Sequence, residues 1–158
     1  MSLTWMIVVQ WVHVVAGVVW AGGQAFMHLA VWPAILGRPA AEAKATLPAL
    51  GAAVAPVMGA SGMVVMAMGI LRGTLLGPIR SWHVLFRSPY GWTFLAALAL
   101  MGVLIARGAR SPQRIPPRVF DGDAFRPGAA AFLRREAALT LALVAALLGC
   151  MVLMRFGL

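Results

Sequence analysis

The chain is predicted to be an all-α integral membrane bundle of four transmembrane helices, on three observations. Hydrophobic residues make up 62% of the 158 and charged residues only 11%, with a mean hydropathy of +0.90. A soluble domain of this size could not clothe such a composition in polar surface. Four apolar segments, at about 4–35, 47–76, 91–107 and 131–156, each reach or nearly reach the roughly 20 residues needed to cross about 30 Å of hydrocarbon. In the first of them, every polar side chain between Trp5 and Trp32 falls on one helical stripe.

That stripe is Gln10, His13, Gly17, Trp20, Gln24 and His28, spaced three or four apart. At roughly 100° per residue these positions share one face. Polar groups are costly in hydrocarbon unless paired, so the stripe is expected to face protein, and its ionisable members are functional candidates. The first lysine or arginine is Arg38, so the segment lacks the basic start of a cleaved signal peptide and is expected to be a mature helix.

The second segment carries Gly51, Ala55 and Gly59 at four-residue spacing, and the fourth carries Ala138, Ala142 and Ala146. Such small-residue seams let membrane helices approach closely, as Gly17 and Ala21 would in the first segment. Pro56 is expected to kink the second segment and free backbone carbonyls near a pocket. The stretch Pro78–Arg87 places Ile79, Trp82 and Phe86 at helical spacing between arginines and is predicted as a short interfacial helix over about 79–87. The third segment is the shortest and is anchored between Tyr90 and Arg107. Residues 108–130 are rich in Arg, Pro and Gly, with a turn at Asp121-Gly122-Asp123 that is a poor calcium site for want of further oxygen ligands. Cys150, the single cysteine, lies within the fourth segment and has no partner for an internal disulfide. The chain is therefore one transmembrane domain over 1–158.

The net charge of +9 is a topological signal rather than a nucleic-acid surface. With four spans, the connections at 36–46 and 107–135 share one side and hold Arg38, Lys44, Arg107, Arg110, Arg114, Arg118, Arg126, Arg134 and Arg135, nine of the thirteen basic residues. Arg72, Arg80, Arg87 and Arg155 lie on the other side with both termini. The positive-inside rule then puts both termini outside the cytoplasm, in the inner membrane.

Two chemistries suit the residues available. A bundle that holds haem or a transition metal needs imidazole, thiolate or thioether ligands directed inward. The chain has three histidines, His13, His28 and His83, and ten methionines, with Met58, Met63, Met66 and Met68 concentrated in the second segment. His13 and His28 are separated by about 22 Å along a helix axis and so cannot serve one centre within one chain. A copper site would combine His13 with His83, Met63 and Met66; a haem site would use His13, with Gln10, Gly17, Trp20, Gln24 and His28 along the same face. Methionine is also a common filler of apolar cores. No hydrolase or phosphate-binding motif is present, and no carboxylate pair lies inside the membrane segments.

Trp11-Val12-His13, followed by Gly17, Trp20-Ala21-Gly22-Gly23, Phe26 and Pro33, resembles the first helix of the CopD-type copper-resistance membrane domain. Ser88-Pro89-Tyr90-Gly91 and Leu133-Arg134-Arg135-Glu136 resemble the starts of that family's third and last helices. More distantly, the chain resembles the HemJ-type protoporphyrinogen oxidase, a four-helix membrane protein whose helix-one histidine is associated with haem b. The resemblance implies a cofactor role for His13. Both relatives carry a lysine where this chain has Ala97, so the oxidase activity does not transfer. The expectation is a haem b protein passing electrons to a quinone or to partner subunits. The alternatives are a Cu(I) transport or resistance protein and a structural accessory subunit of a larger membrane complex. A homo-oligomer pairing two copies of His13 would supply a second axial ligand.

Overall fold

Unpaired backbone groups are costly in hydrocarbon, so an apolar segment closes its hydrogen bonds along itself. The computed structural model, which describes residues 3–158, has four helices long and apolar enough to cross a membrane: Leu3–Leu36, Ala40–Gly73, Pro89–Arg114 and Ala129–Arg155. The first comprises α1 (Leu3–Phe26), a π-helical turn (Met27–Val31) and α2 (Trp32–Leu36). Then follow α3 (Ala40–Gly73), α4 (Trp82–Arg87), α5 (Pro89–Arg114), α6 (Pro116–Val119), a hairpin of β1 (Phe120–Asp121) and β2 (Ala124–Phe125), and α7 (Ala129–Arg155). Helix α1 packs chiefly on α3 and α5 chiefly on α7, and lesser contacts between the two pairs complete the bundle.

The helices outrun the apolar segments that predict them. Helix α3 starts at Ala40 and ends at Gly73, against the expected 47–76, because Ala40-Ala41-Glu42-Ala43-Lys44-Ala45 are strong helix formers whatever their hydropathy. Its end is fixed where the chain reverses, with the Ile79 N–H donating to the Gly73 carbonyl at 3.2 Å. Helix α5 likewise runs past Arg107 to Arg114. The interfacial helix is shorter than expected, beginning at Trp82 after Ser81, whose hydroxyl accepts from the Val84 N–H at 3.3 Å. Trp82 and Phe86 stack at 6.0 Å and are turned outward.

The π-turn has a local cause in Pro33. Proline has no N–H to return to the carbonyl four residues back, and the preceding turn widens so that the Trp32 N–H reaches Met27 O, five residues back. Trp32 and Ile35 are thereby buried in a compact cap with Ala43, Ile115, Val119, Phe120, Ala129 and Leu133. Residues 108–130, which the sequence presents as a turn-rich connection, form part of this second core. Their Gly122–Asp123 turn closes the hairpin with Gly122 at φ +58°, the left-handed region that favours glycine. Lys44 Nζ donates to Gly122 O at 2.9 Å and ties the hairpin to α3.

The expected small-residue seams point the wrong way. Gly51, Ala55, Gly59, Ala138, Ala142 and Ala146 are exposed on the outer faces of α3 and α7, and nothing lies within 4 Å of a Cβ added at Gly17, Gly51 or Gly59. Close approach occurs instead at Gly23, against Met58, and at Gly62, where an added Cβ would sit 2.9 Å from Trp20 Nε1. Bulky partners choose the contact face, and the glycines that matter are those under Trp20 and Met58. Pro48 and Pro56 both lie inside continuous α3 and are exposed, and Pro56 does not line the cavity described below. The central core gathers Trp20, Val65, Ala97, Met101, Leu104, Val144 and Leu147.

Leucine at Gly62 would overpack the helix pair at Trp20, a change that costs about 1–3 kcal/mol. Gly62→Leu is expected to lower the thermal midpoint of the detergent-purified protein, and Gly59→Leu, on the outer face, to leave it unchanged. Equal losses would contradict the assignment of the contact face.

Candidate functional site

The stripe on α1 does turn inward: Gln10, His13, Gly17, Gln24 and His28 are half-buried and Trp20 is buried, while Trp11, Val12, Val14, Val15, Val18 and Val19 are exposed. From Gln10 to His28 it covers about 27 Å of axis, too long for a single cavity. The structure divides it into three places.

At the first, Gln10 and His13 line a cavity of about 270 Å³ enclosed by all four long helices. Val65, Met66, Gly69 and Gly73 come from α3, Phe94, Ala97 and Met101 from α5, and Leu147, Met151 and Met154 from α7. Arg72, Tyr90 and Arg155 stand at its end, in the last turn of α3, the first turn of α5 and the last turn of α7. Gly69 makes room for the imidazole, since a Cβ there would lie 3.2 Å from His13 Cε1. His13 Nδ1 and Gln10 Oε1 are buried and have no hydrogen-bond partner. A buried polar atom without a partner is costly, and here two such atoms lie a helical turn apart on residues that line one cavity.

At the second, Trp20 fills the core against Gly62 and Met101 and does not line the cavity; neither do Gly17 and Gln24. The expectation that these three bound the pocket is corrected: the Trp20 indole packs against Gly62 of α3, and Val65 and Met66 of the same helix line the open space instead.

At the third, the π-turn places His28 close enough to Glu136 and Arg107 to feel both charges. Arg114 grips Glu136 in bidentate fashion, Nη1 to Oε1 at 2.7 Å and Nη2 to Oε2 at 2.5 Å, and Arg107 Nη2 reaches Oε2 at 2.7 Å. The Glu136 side chain is only 12% exposed. His28 Nδ1 and Arg107 Nε are buried without partners. Sequence reasoning missed this cluster. The available signal was the small number of acids, four in the chain, with only Glu136 bordered by an apolar helix run.

The copper set does not assemble as expected. His83 is exposed on α4, Met63 is 62% exposed, and only His13 and Met66 share the cavity. Helical phase explains Met63: it follows Gly62, the inward contact, by one residue and so points about 100° away. Met101, Met151 and Met154 take its place around the cavity, brought in by helices whose pairing the sequence does not specify. Among the described residues, no group of three or more His, Cys, Asp and Glu is placed to hold a metal ion. No protein-family model matches the chain, and neither a curated protein nor a solved structure matches it.

Removing Glu136 would leave Arg107 and Arg114 facing each other without their shared anion. Glu136→Ala is expected to cost about 2 kcal/mol of stability in a denaturation assay, in the range for hydrogen bonds to charged groups. Asp121→Ala, which breaks an exposed 3.5 Å pair to Arg126, is expected to cost less than about 0.5 kcal/mol.

Proposed function

We propose that the protein binds haem b in the four-helix cavity, with His13 as an axial ligand, and serves membrane electron transfer. The observation that carries this reading is the buried Nδ1 of His13, without a hydrogen-bond partner among the described residues, on a side chain that lines a largely apolar space bounded by four helices from different parts of the chain. The Val65 backbone can satisfy one side of the imidazole, but Nδ1 has no protein partner among the described residues and is free to take a proton donor or a metal. The cavity lies just below the roughly 300–1,000 Å³ of ordinary ligand pockets and is only partly enclosed, so a larger ligand can protrude from it. The thioethers of Met66, Met101, Met151 and Met154 line the same space and suit an iron porphyrin as contact surface or as a second ligand. Bound haem would supply one-electron chemistry; the protein supplies the ligand, the dry surroundings and orientation. A quinone in the bilayer or partner membrane subunits would exchange the electrons. The cofactor resemblance at His13 agrees with this reading, and Ala97, which lines the cavity where the relatives carry lysine, argues against an oxidase.

One observation favours a second reading. Four thioethers and one imidazole around a single cavity form a soft donor set suited to Cu(I), without His83 or Met63. Under either reading, the excess of arginine and lysine on the hairpin side supports an orientation with the arginine-lined end of the cavity and both termini on the non-cytoplasmic face of the inner membrane.

Protein purified after expression with added haem precursor is expected to show a Soret band, and His13→Ala to lose or shift it at unchanged helicity. A wild-type protein without haem that takes up Cu(I), more weakly after Met66→Leu with Met151→Leu, would favour the copper reading. A protein that binds neither would leave the role of accessory subunit. For orientation, a cysteine introduced at Gly157 in a Cys150→Ala background is expected to react with an impermeant thiol reagent in intact cells; protection until lysis would reverse the topology.

A further inference from the structure

The two ends of the bundle differ in charge. The four side-chain acids, Glu42, Asp121, Asp123 and Glu136, all belong to the end that carries the hairpin and the first turns of α3 and α7. The opposite end carries Arg72, Arg80, Arg87 and Arg155 and no side-chain acid among the described residues. Two of these arginines, Arg72 and Arg155, line the mouth of the His13 cavity, and neither forms an ion pair. They are joined there by the Tyr90 side chain and, one turn above His13, by Gln10 with its unpartnered oxygen. Thus a largely apolar chamber is lined at one end by two arginines that have no ion-pair partner among the described residues. Guanidinium is the side chain best matched to planar, bidentate recognition of a carboxylate.

We propose that the cavity selects an amphiphile that brings its own anionic groups, its apolar body among the methionines and Phe94 and a pair of carboxylates on Arg72 and Arg155. Resting on the haem reading for the identity of the body, this makes the two arginines the specificity-determining contacts, recognising the free-acid edge of a porphyrin. The arginines act independently of His13: they read the periphery of the ligand, and the imidazole reads its centre. The phosphate of an anionic lipid carries the same kind of charge and is the other source of an anion at this depth.

The test uses the purified full-length protein in a nonionic detergent, with haem b, its dimethyl ester and metal-free protoporphyrin IX titrated by absorbance and fluorescence. Esterification is expected to weaken haem binding at least tenfold. Arg72→Gln with Arg155→Gln is expected to weaken the free acid by a similar factor and leave the diester unchanged. Metal-free protoporphyrin separates the two ideas: it is expected to lose affinity in the arginine variant and to keep it in His13→Ala. If protoporphyrin and haem both bind and His13→Ala weakens neither, the ligation reading fails and the carboxylate assignment stands. If the diester binds wild type as tightly as the free acid, the carboxylate assignment is overturned, and this arm needs no variant to fold. A last arm places the protein in nanodiscs of phosphatidylcholine alone or with phosphatidylglycerol. Free-acid preference in both supports the proposal; arginine-dependent enrichment of phosphatidylglycerol with no free-acid preference overturns it in favour of a lipid site.

Discussion

The inward face of α1 is the constraint from which the rest of the bundle follows. Four polar side chains on one stripe cannot be left against hydrocarbon, so the helix has one permissible rotation, and that rotation brings Trp20 against Gly62 of α3. Trp20 is the largest group on the stripe, and the absence of a side chain opposite it lets the two helices close. Once α1 and α3 are paired there, His13 meets Gly69 about two turns toward one end, and His28 meets the α5/α7 pair toward the other. One helix rotation thus assigns a packing centre, a cavity and a charged cluster to successive levels of the bundle.

The two ends of the molecule are built differently. At the Glu136 end the helices are bound by a shared carboxylate, by a second hydrophobic core under the hairpin and by Lys44 reaching across to Gly122. Buried ion pairs are no guarantee of stability, but a carboxylate of α7 held by two guanidiniums of α5 fixes the relative depth of those two helices. At the opposite end the helices finish in arginines with no acids, and the space between them is open. One end is thus cross-linked by ion pairs and hydrogen bonds, while the other keeps two arginines without ion-pair partners among the described residues beside the cavity.

Much of this was legible in the chain. Composition and segment length predicted four membrane helices in an all-α bundle, since hydrocarbon allows few alternatives to self-contained backbone hydrogen bonding. The periodicity of the first segment predicted which face of α1 turns inward, with His13 on it. The helix ends were not legible at 40–46 and 108–114, because hydropathy marks the lipid-crossing part of a helix while alanine-rich and charged turns continue it beyond the bilayer. The seams at Gly51 and Ala138 failed for a different reason: small residues permit contact but do not choose it.

What the sequence by itself determined was therefore what depends on the solvent and on one helix at a time: the membrane class, the number of spans and the polarity of each face. Only the tertiary structure decided which methionines surround His13, that Trp20 is core rather than cavity wall, and that His28 belongs with Glu136. Those outcomes depend on the relative rotation and depth of helices far apart in the chain. In a bundle whose lipid-facing and buried surfaces are both apolar, no pattern along a single segment encodes them.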